Sequence, residues 1–237
     1  MHRCAIIIIE IEWGGYRMCF PMTHLCVAYD LMNNIEGLEH KGDYMLGVVA
    51  PDSVHFRNPY SVEMKKKSHI WYCGETWGIT LDHEKWHRDI LNIFSMYVNS
   101  RNRDFIYGYC VHLLTDWSND DKIWTPFREA SKEESFLESM EVYHTESALV
   151  DYQLYKDSSY QKEIMLLLEE GTAYDIPGVI RKCDIEIQRE YLLHEEFNNP
   201  RENISVQRYC TLSELKVFME ETVALLSKEL QIGENRA

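Results

Sequence analysis

The stretch that most limits what this chain can fold into is Phe105–Trp117, "FIYGYCVHLLTDW". At helical spacing, Phe105, Ile106, Tyr109, Val111, Leu113 and Leu114 occupy almost the whole circumference. A helix that is apolar all round must be covered all round, so the segment predicts a buried helix wrapped by others. Two polar residues interrupt it. His112 and Asp116 stand at i and i+4 and project from one face. A buried aspartate is costly unless it is paired or bound to a metal. The pair therefore reads either as a core-tying hydrogen bond or as half of a metal site.

Helical punctuation continues along the chain. Thr23 is expected to cap a helix through "HLCVAYDLMNN", and Asp43 one through "YMLGVVA" that Pro51 stops. "IWYCGETWGITLDH" reads as an aromatic, glycine-containing loop. Thr80 then caps a helix to about Val98, with Trp86, Ile90, Ile93, Phe94 and Tyr97 on one face. Asn102 or Asp104 begins the central helix. Ser131 with Glu134 has capping-box spacing before a long helix to about Tyr155. Asp175 with Pro177 opens one to about Phe197, and Thr211 with Glu214 the last, striped by Leu215, Phe218, Val223, Leu226 and Leu230. These signals predict one all-α, multi-helix bundle over residues 22–237. The leader is different: "AIIIIEIEW" reads as a strand with no sheet to join. Trp13-Gly14-Gly15 must be encoded by a purine-rich string like a ribosome-binding site, so residues 1–21 are expected to be non-native or disordered, with translation starting at Met18 or Met22.

Composition narrows the partners. A net charge of −15 leaves no basic excess for a nucleic-acid backbone or an anionic membrane face. The run Lys65–Lys67 is the one cationic candidate, and it reads as a solvated loop. Seven scattered cysteines without a C-x-x-C pair suit free thiols in a reducing cytoplasm. The apolar run before Glu10 is too short for a signal-peptide core or a membrane span, and none longer follows. The expectation is a soluble, cytoplasmic protein; nothing marks its oligomeric state.

"LDHEKWHRDI" contains His83-Glu84-Lys85-Trp86-His87, which fits the H-E-x-x-H pattern of zinc proteases. On a helix His83 and His87 would share a face, with Glu84 placed to polarise water. The third ligand is missing: Ile93 stands six residues beyond His87, and no glutamate occurs between Glu84 and Glu129. The charged neighbours Asp82, Lys85, Arg88 and Asp89 suit an exposed first turn instead.

Other polar groups sit oddly in apolar surroundings. They are His24 in "THLCVAYDLM", Asp52 after Pro51 with His55 three residues on, and His69 after Ser68. The order of His24, Pro51-Asp52, Ser68-His69 and His112-x-x-x-Asp116 resembles the zinc-dependent phospholipase C family. That superfamily also holds single-strand-specific nucleases, and the closer likeness is to small intracellular bacterial proteins labelled as hydrolases. The matching segments include "LGVVAPDSVHFR", "KKSHIW", "WGITLDHEKW", "GYCVHLLTDW", "IWTPFR" and "ESALVDYQLY", from about Met22 to Tyr155.

The resemblance implies an all-α bundle whose cleft holds up to three zinc ions. Asp52, His69, His112 and Asp116 would form one site, and Asp116 would bridge to a second metal shared with His24. The third site departs from the family pattern. Lys122 stands where a histidine is expected, and Ser147 and Asp151 are the counterparts of an H-x-x-x-E pair, so only Asp151 could bind there. One or two metals are expected, Zn²⁺ before Mn²⁺ or Fe²⁺. In a second layer, Glu146 would orient ligands, His55 could replace a lost one, and His144 would be a surface residue. Asp52 is the expected proton acceptor for the attacking water. Trp71, Tyr72, Trp77 and Tyr109 read as plain core or as cleft walls. The function expected is a phosphoester hydrolase acting on a small phosphoester or a phospholipid-type substrate. The alternatives are a degenerate metal-binding scaffold without catalysis and the H-E-x-x-H protease. An HD-type phosphohydrolase needs an adjacent His-Asp pair, which the chain lacks.

Overall fold

The computed structural model describes residues 20–97 and 99–234. Most of the expected leader, residues 1–19, lies outside them, as does the helix end placed at Val98. Phe20 and Pro21 are described, and both are buried. The described residues form ten α-helices: α1 (Pro21–Met32), α2 (Lys41–Val49), α3 (Val62–Ser68), α4 (His83–Tyr97), α5 (Arg103–Asn119), α6 (Thr125–Ala130), α7 (Phe136–Asp157), α8 (Gln161–Glu170), α9 (Lys182–His194) and α10 (Leu212–Glu234). No strand occurs among them, only one antiparallel bridge between Ile176 and Ile180. The chain is all-α, and none of the described helices is long and apolar enough to cross a membrane.

Helix α5 is the buried axis, with every residue from Asp104 to Thr115 out of solvent. Helices α1, α2, α4 and α10 pack around it. The closest approach is to α2, where glycines let the two backbones touch. A Cβ on Gly108 would stand 1.9 Å from the Tyr44 carbonyl oxygen, and one on Gly47 would stand 2.0 Å from that of Phe105. No side chain fits at either position.

Several helices begin away from the expected caps, because their orphan N–H groups find distant acceptors. At α1 the cap residue, Phe20, is left-handed (φ 65°) and offers no side-chain acceptor. Asp151 of α7 supplies one from across the bundle. Its Oδ2 accepts from Met22 N and its Oδ1 from Thr23 N and Thr23 Oγ1, each at 2.8 Å. Asp43 lies inside α2 and accepts from Thr172 N and Tyr174 OH. Helix α4 is capped by Asp82, not Thr80: Asp82 Oδ1 accepts from Lys85 N, while Thr80 Oγ1 accepts from Trp71 Nε1. The capping box of α7 is Ser135–Glu138, one turn beyond the Ser131–Glu134 pair of the same spacing. Asp175 caps α9 through a turn, accepting from Lys182 N. At α10 the Thr211–Glu214 box is present as read.

Candidate metal centre

Pro51 has no N–H, and there α2 gives way to a tighter 3₁₀ segment, Ala50–Phe56, that carries Asp52 inward. One turn earlier, the Val48 carbonyl lies in the last turn of α2, where no helical partner is due. His112 takes it: Nδ1 donates to Val48 O at 2.7 Å. The α2–α5 contact through Gly47 and Gly108 brings these two groups together. His69, at the end of α3, is fixed in the same manner, with Nδ1 donating to Lys65 O at 3.0 Å. Trp86 of α4 holds it from behind, donating from Nε1 to His69 O at 2.9 Å.

Both rings thus spend their proton on a carbonyl, which can only accept, and turn Nε2 inward as a lone pair. The two Nε2 atoms lie 3.3 Å apart. Around them, His69 Nε2 is 3.4 Å from Asp52 Oδ1 and 3.4 Å from Asp116 Oδ2, while His112 Nε2 is 3.4 Å from Asp116 Oδ2 and 3.8 Å from Asp52 Oδ2. His24 of α1 stacks on His112, ring centres 3.9 Å apart, and presents Nε2 to Asp116 Oδ1 at 3.2 Å. Two overlapping groups result, Asp52–His69–His112 and His24–His112–Asp116, each with ligand atoms within 4.8 Å of one another.

Acceptors facing acceptors repel unless a cation lies between them. Asp52 Oδ1 is buried and makes no hydrogen bond. The donor set, three imidazoles and two carboxylates, suits Zn²⁺. The residues present therefore fit a metal ion. Electrostatics agree in direction for four of the five members. Burial pushes both aspartates up, but His112 and His24 hold Asp116 well below the usual carboxylate range, and Lys65, His69 and His112 do so for Asp52. Burial lowers His24 and His69, which favours their neutral rings, whereas for His112 burial is outweighed by Asp116 and Asp52, which raise it and favour a positive charge in front of the two carboxylates.

The cluster opens on a small pocket of about 70 Å³, to whose walls Asp52 and Asp116 contribute. Lys65, Trp71, Trp77, Trp124, Tyr143 and His144 also line it. Of the aromatic groups weighed as cleft walls, Trp71 and Trp77 are therefore in place. Tyr72 is exposed instead, and Tyr109 is buried, donating to Ser68 O. Two of the lining residues contradict their sequence reading. Lys65 belongs to a run that reads as solvated, and His144 reads as a surface residue, yet it is half-buried here. The signal for Lys65 was its four-residue spacing to His69.

The remaining candidates lie elsewhere. Asp151 has both oxygens committed to the start of α1, away from both groups. Lys122 pairs with Glu221 at 2.9 Å, and Ser147 Oγ donates to Tyr143 O. Glu146 accepts from Arg208 N and Tyr209 N, so it anchors the loop before α10 and does not orient a ligand. His55 Nε2 is 3.7 Å from Asp52 Oδ1, beside the cluster but in neither group. His83 and His87 do not converge: His83 Nε2 donates to Trp117 O at 2.9 Å, and His87 Nε2 meets Glu229 Oε2 at 2.8 Å.

Comparison of the chain with protein-family models, with curated proteins and with solved structures finds no match in any of the three.

Proposed function

We propose that the chain is a metal-dependent hydrolase of phosphoester bonds, built on a bundle like that of zinc-dependent phospholipase C. The observation that carries the reading is the convergence of His24, Asp52, His69, His112 and Asp116 from four separate segments, with two imidazoles turned lone pair to lone pair. Asp52, His69 and His112 would hold one ion, and His24, His112 and Asp116 are placed for a second. When bound, Zn²⁺ supplies a Lewis acid that makes water nucleophilic near neutral pH. Asp52 accepts the proton of the attacking water at Oδ1, the oxygen that makes no hydrogen bond. A P–O bond forms from that water and the P–O bond to the leaving group breaks. Trp71 and Trp77 exclude bulk water from one side of the pocket and pack against the organic part of the substrate.

Metal content and hydrolysis of aryl phosphoesters, measured together, test this. The unsubstituted chain should bind one or two ions and turn over with them. His112→Ala should lose the metal and the activity; Asp116→Asn should lower both. Full activity of His112→Ala would sink the proposal. A second reading, a metal-holding scaffold without catalysis, is favoured by Lys122, Ser147 and Asp151, which stand at third-site positions and are occupied by other contacts. Metal binding without turnover on any phosphoester would select it.

A further inference from the structure

We propose that Lys65 is the residue with which the pocket grips a phosphoryl oxygen, and that it makes a terminal, dianionic phosphate a better substrate than a diester. This deepens the hydrolase reading above and rests on it.

The three lysines of the run have different fates. Lys66 Nζ is tied to Glu63 Oε1 at 2.8 Å and Glu75 O at 2.6 Å, and Lys67 is exposed. The Lys65 and Lys66 side chains are equally shielded, each 16% exposed, but Lys65 turns toward the cluster. Its ammonium stands 3.7 Å from Asp52 Oδ1 and 5.0 Å from the centre of the Trp77 ring. The indole face attracts a cation and fixes where it sits. The backbone is fixed as well, because Lys65 O accepts both from His69 Nδ1 and from Ser68 Oγ, each at 3.0 Å. One residue therefore orients a cluster imidazole with its carbonyl and places a charge in the pocket with its side chain.

Among the described residues lining the pocket, Lys65 is the only lysine or arginine; the acids there are Asp52, Asp116 and Asp120. An ion held by the cluster would engage Asp52 and Asp116, and the Lys65 ammonium supplies the side-chain positive charge at the wall of the enclosed space. A tetrahedral phosphate beside Asp52 would present a non-bridging oxygen to it. Lysine binds phosphate as a point charge, so its attraction scales with the charge on the ligand. A diester carries one negative charge; a monoester approaches two near neutral pH, its second pKa lying at about 6. The additional cation therefore acts on the additional charge. Trp71, Trp77, Trp86 and Trp124 stand in the walls of the space and offer faces against which an apolar substituent on the phosphoryl group would pack.

The test uses the full chain loaded with Zn²⁺, with metal content measured first. Inorganic phosphate is titrated calorimetrically into the parent, Lys65→Met and Lys65→Arg. The same proteins are assayed on 4-nitrophenyl phosphate and bis(4-nitrophenyl) phosphate. Lys65→Met should keep its metal and its melting temperature and lose about tenfold or more in phosphate affinity, the scale on which one partner of a close charge pair is felt. Its kcat/KM should fall at least tenfold further on the monoester than on the diester. Lys65→Arg, which keeps the charge, should recover most of both. Phosphate bound equally well by Lys65→Met, or equal losses on the two esters, overturns the inference and leaves the hydrolase reading standing. Loss of metal from both variants also overturns it, assigning Lys65 to assembly of the cluster. A parent chain that takes up no metal sinks the hydrolase reading itself, and this inference with it.

Discussion

Helices α4 and α5 lie side by side, and each carries a polar pair at i and i+4. On α5, His112 and Asp116 meet three further side chains in a buried centre. On α4, His83 and His87 flank one indole, their ring centres 4.9 Å and 4.4 Å from that of Trp117, and their Nε2 atoms point to different partners. Spacing places two rings on one face and does nothing more. On the α5 side, carbonyls behind two of the three rings fix the proton and acceptors gather in front, as Val48 O and Lys65 O arrange for His112 and His69. Helix α4 still serves that centre. Trp86 steadies His69, and His83 stands 3.7 Å from Asp120 at the pocket wall.

The contrast can be broken at its foundation by Gly108→Ala. The new methyl would meet the Tyr44 backbone, so α2 and α5 must part, at a cost of about 3 kcal/mol. Chemical denaturation should show that loss, and metal affinity should fall because Val48 O moves off His112. Asp151→Asn comes next. It removes one of two oxygens that together accept three hydrogen bonds at α1, and should cost about 1–2 kcal/mol, measured the same way. Metal stoichiometry should stay as in the parent; a lost ion would return Asp151 to the cluster. Across pH, His144 sharpens the difference on the pocket side, since burial first and Lys65 second lower it from 6.5 to about 3. Between those values the unfolded chain binds a proton that the folded one refuses, so stability falls as pH falls through this window. His144→Gln should flatten that limb of a melting-temperature profile. At the small end, His87→Ala should cost about 1 kcal/mol through its contacts with Glu229 and Trp117, and leave metal and turnover unchanged. Glu84→Gln, with its side chain 92% exposed, should stay within about 0.5 kcal/mol of the parent and leave activity untouched.

Apolar periodicity made the bundle legible, and α5 in particular, because a helix with no polar face has few places to go. Helix starts were less so. Ser131–Glu134 and Ser135–Glu138 have the same spacing, and only tertiary packing chooses between them. Asp151 caps a helix whose first residue lies well over a hundred positions away, which no local pattern contains. Within the candidate site, His24, Asp52, His69, His112 and Asp116 stood out as polar groups in apolar company, and the fold brings them together. Lys65 was hidden by Lys66 and Lys67, since a charge run conceals which member turns inward. His144 was hidden because α7 is amphipathic only weakly, and its buried side is set by packing against α1 and α10.

Exposure within the cluster is uneven. Asp116 is 27% exposed at its side chain, while the other four members are exposed by 5% or less. Solvent therefore reaches the cluster first at a carboxylate. An ion bound as proposed would meet Asp116 before any imidazole and would enter without the helices separating. Its residence time would then follow the turning of one short side chain, while the strength of its seat would follow α5, which carries two of the five members.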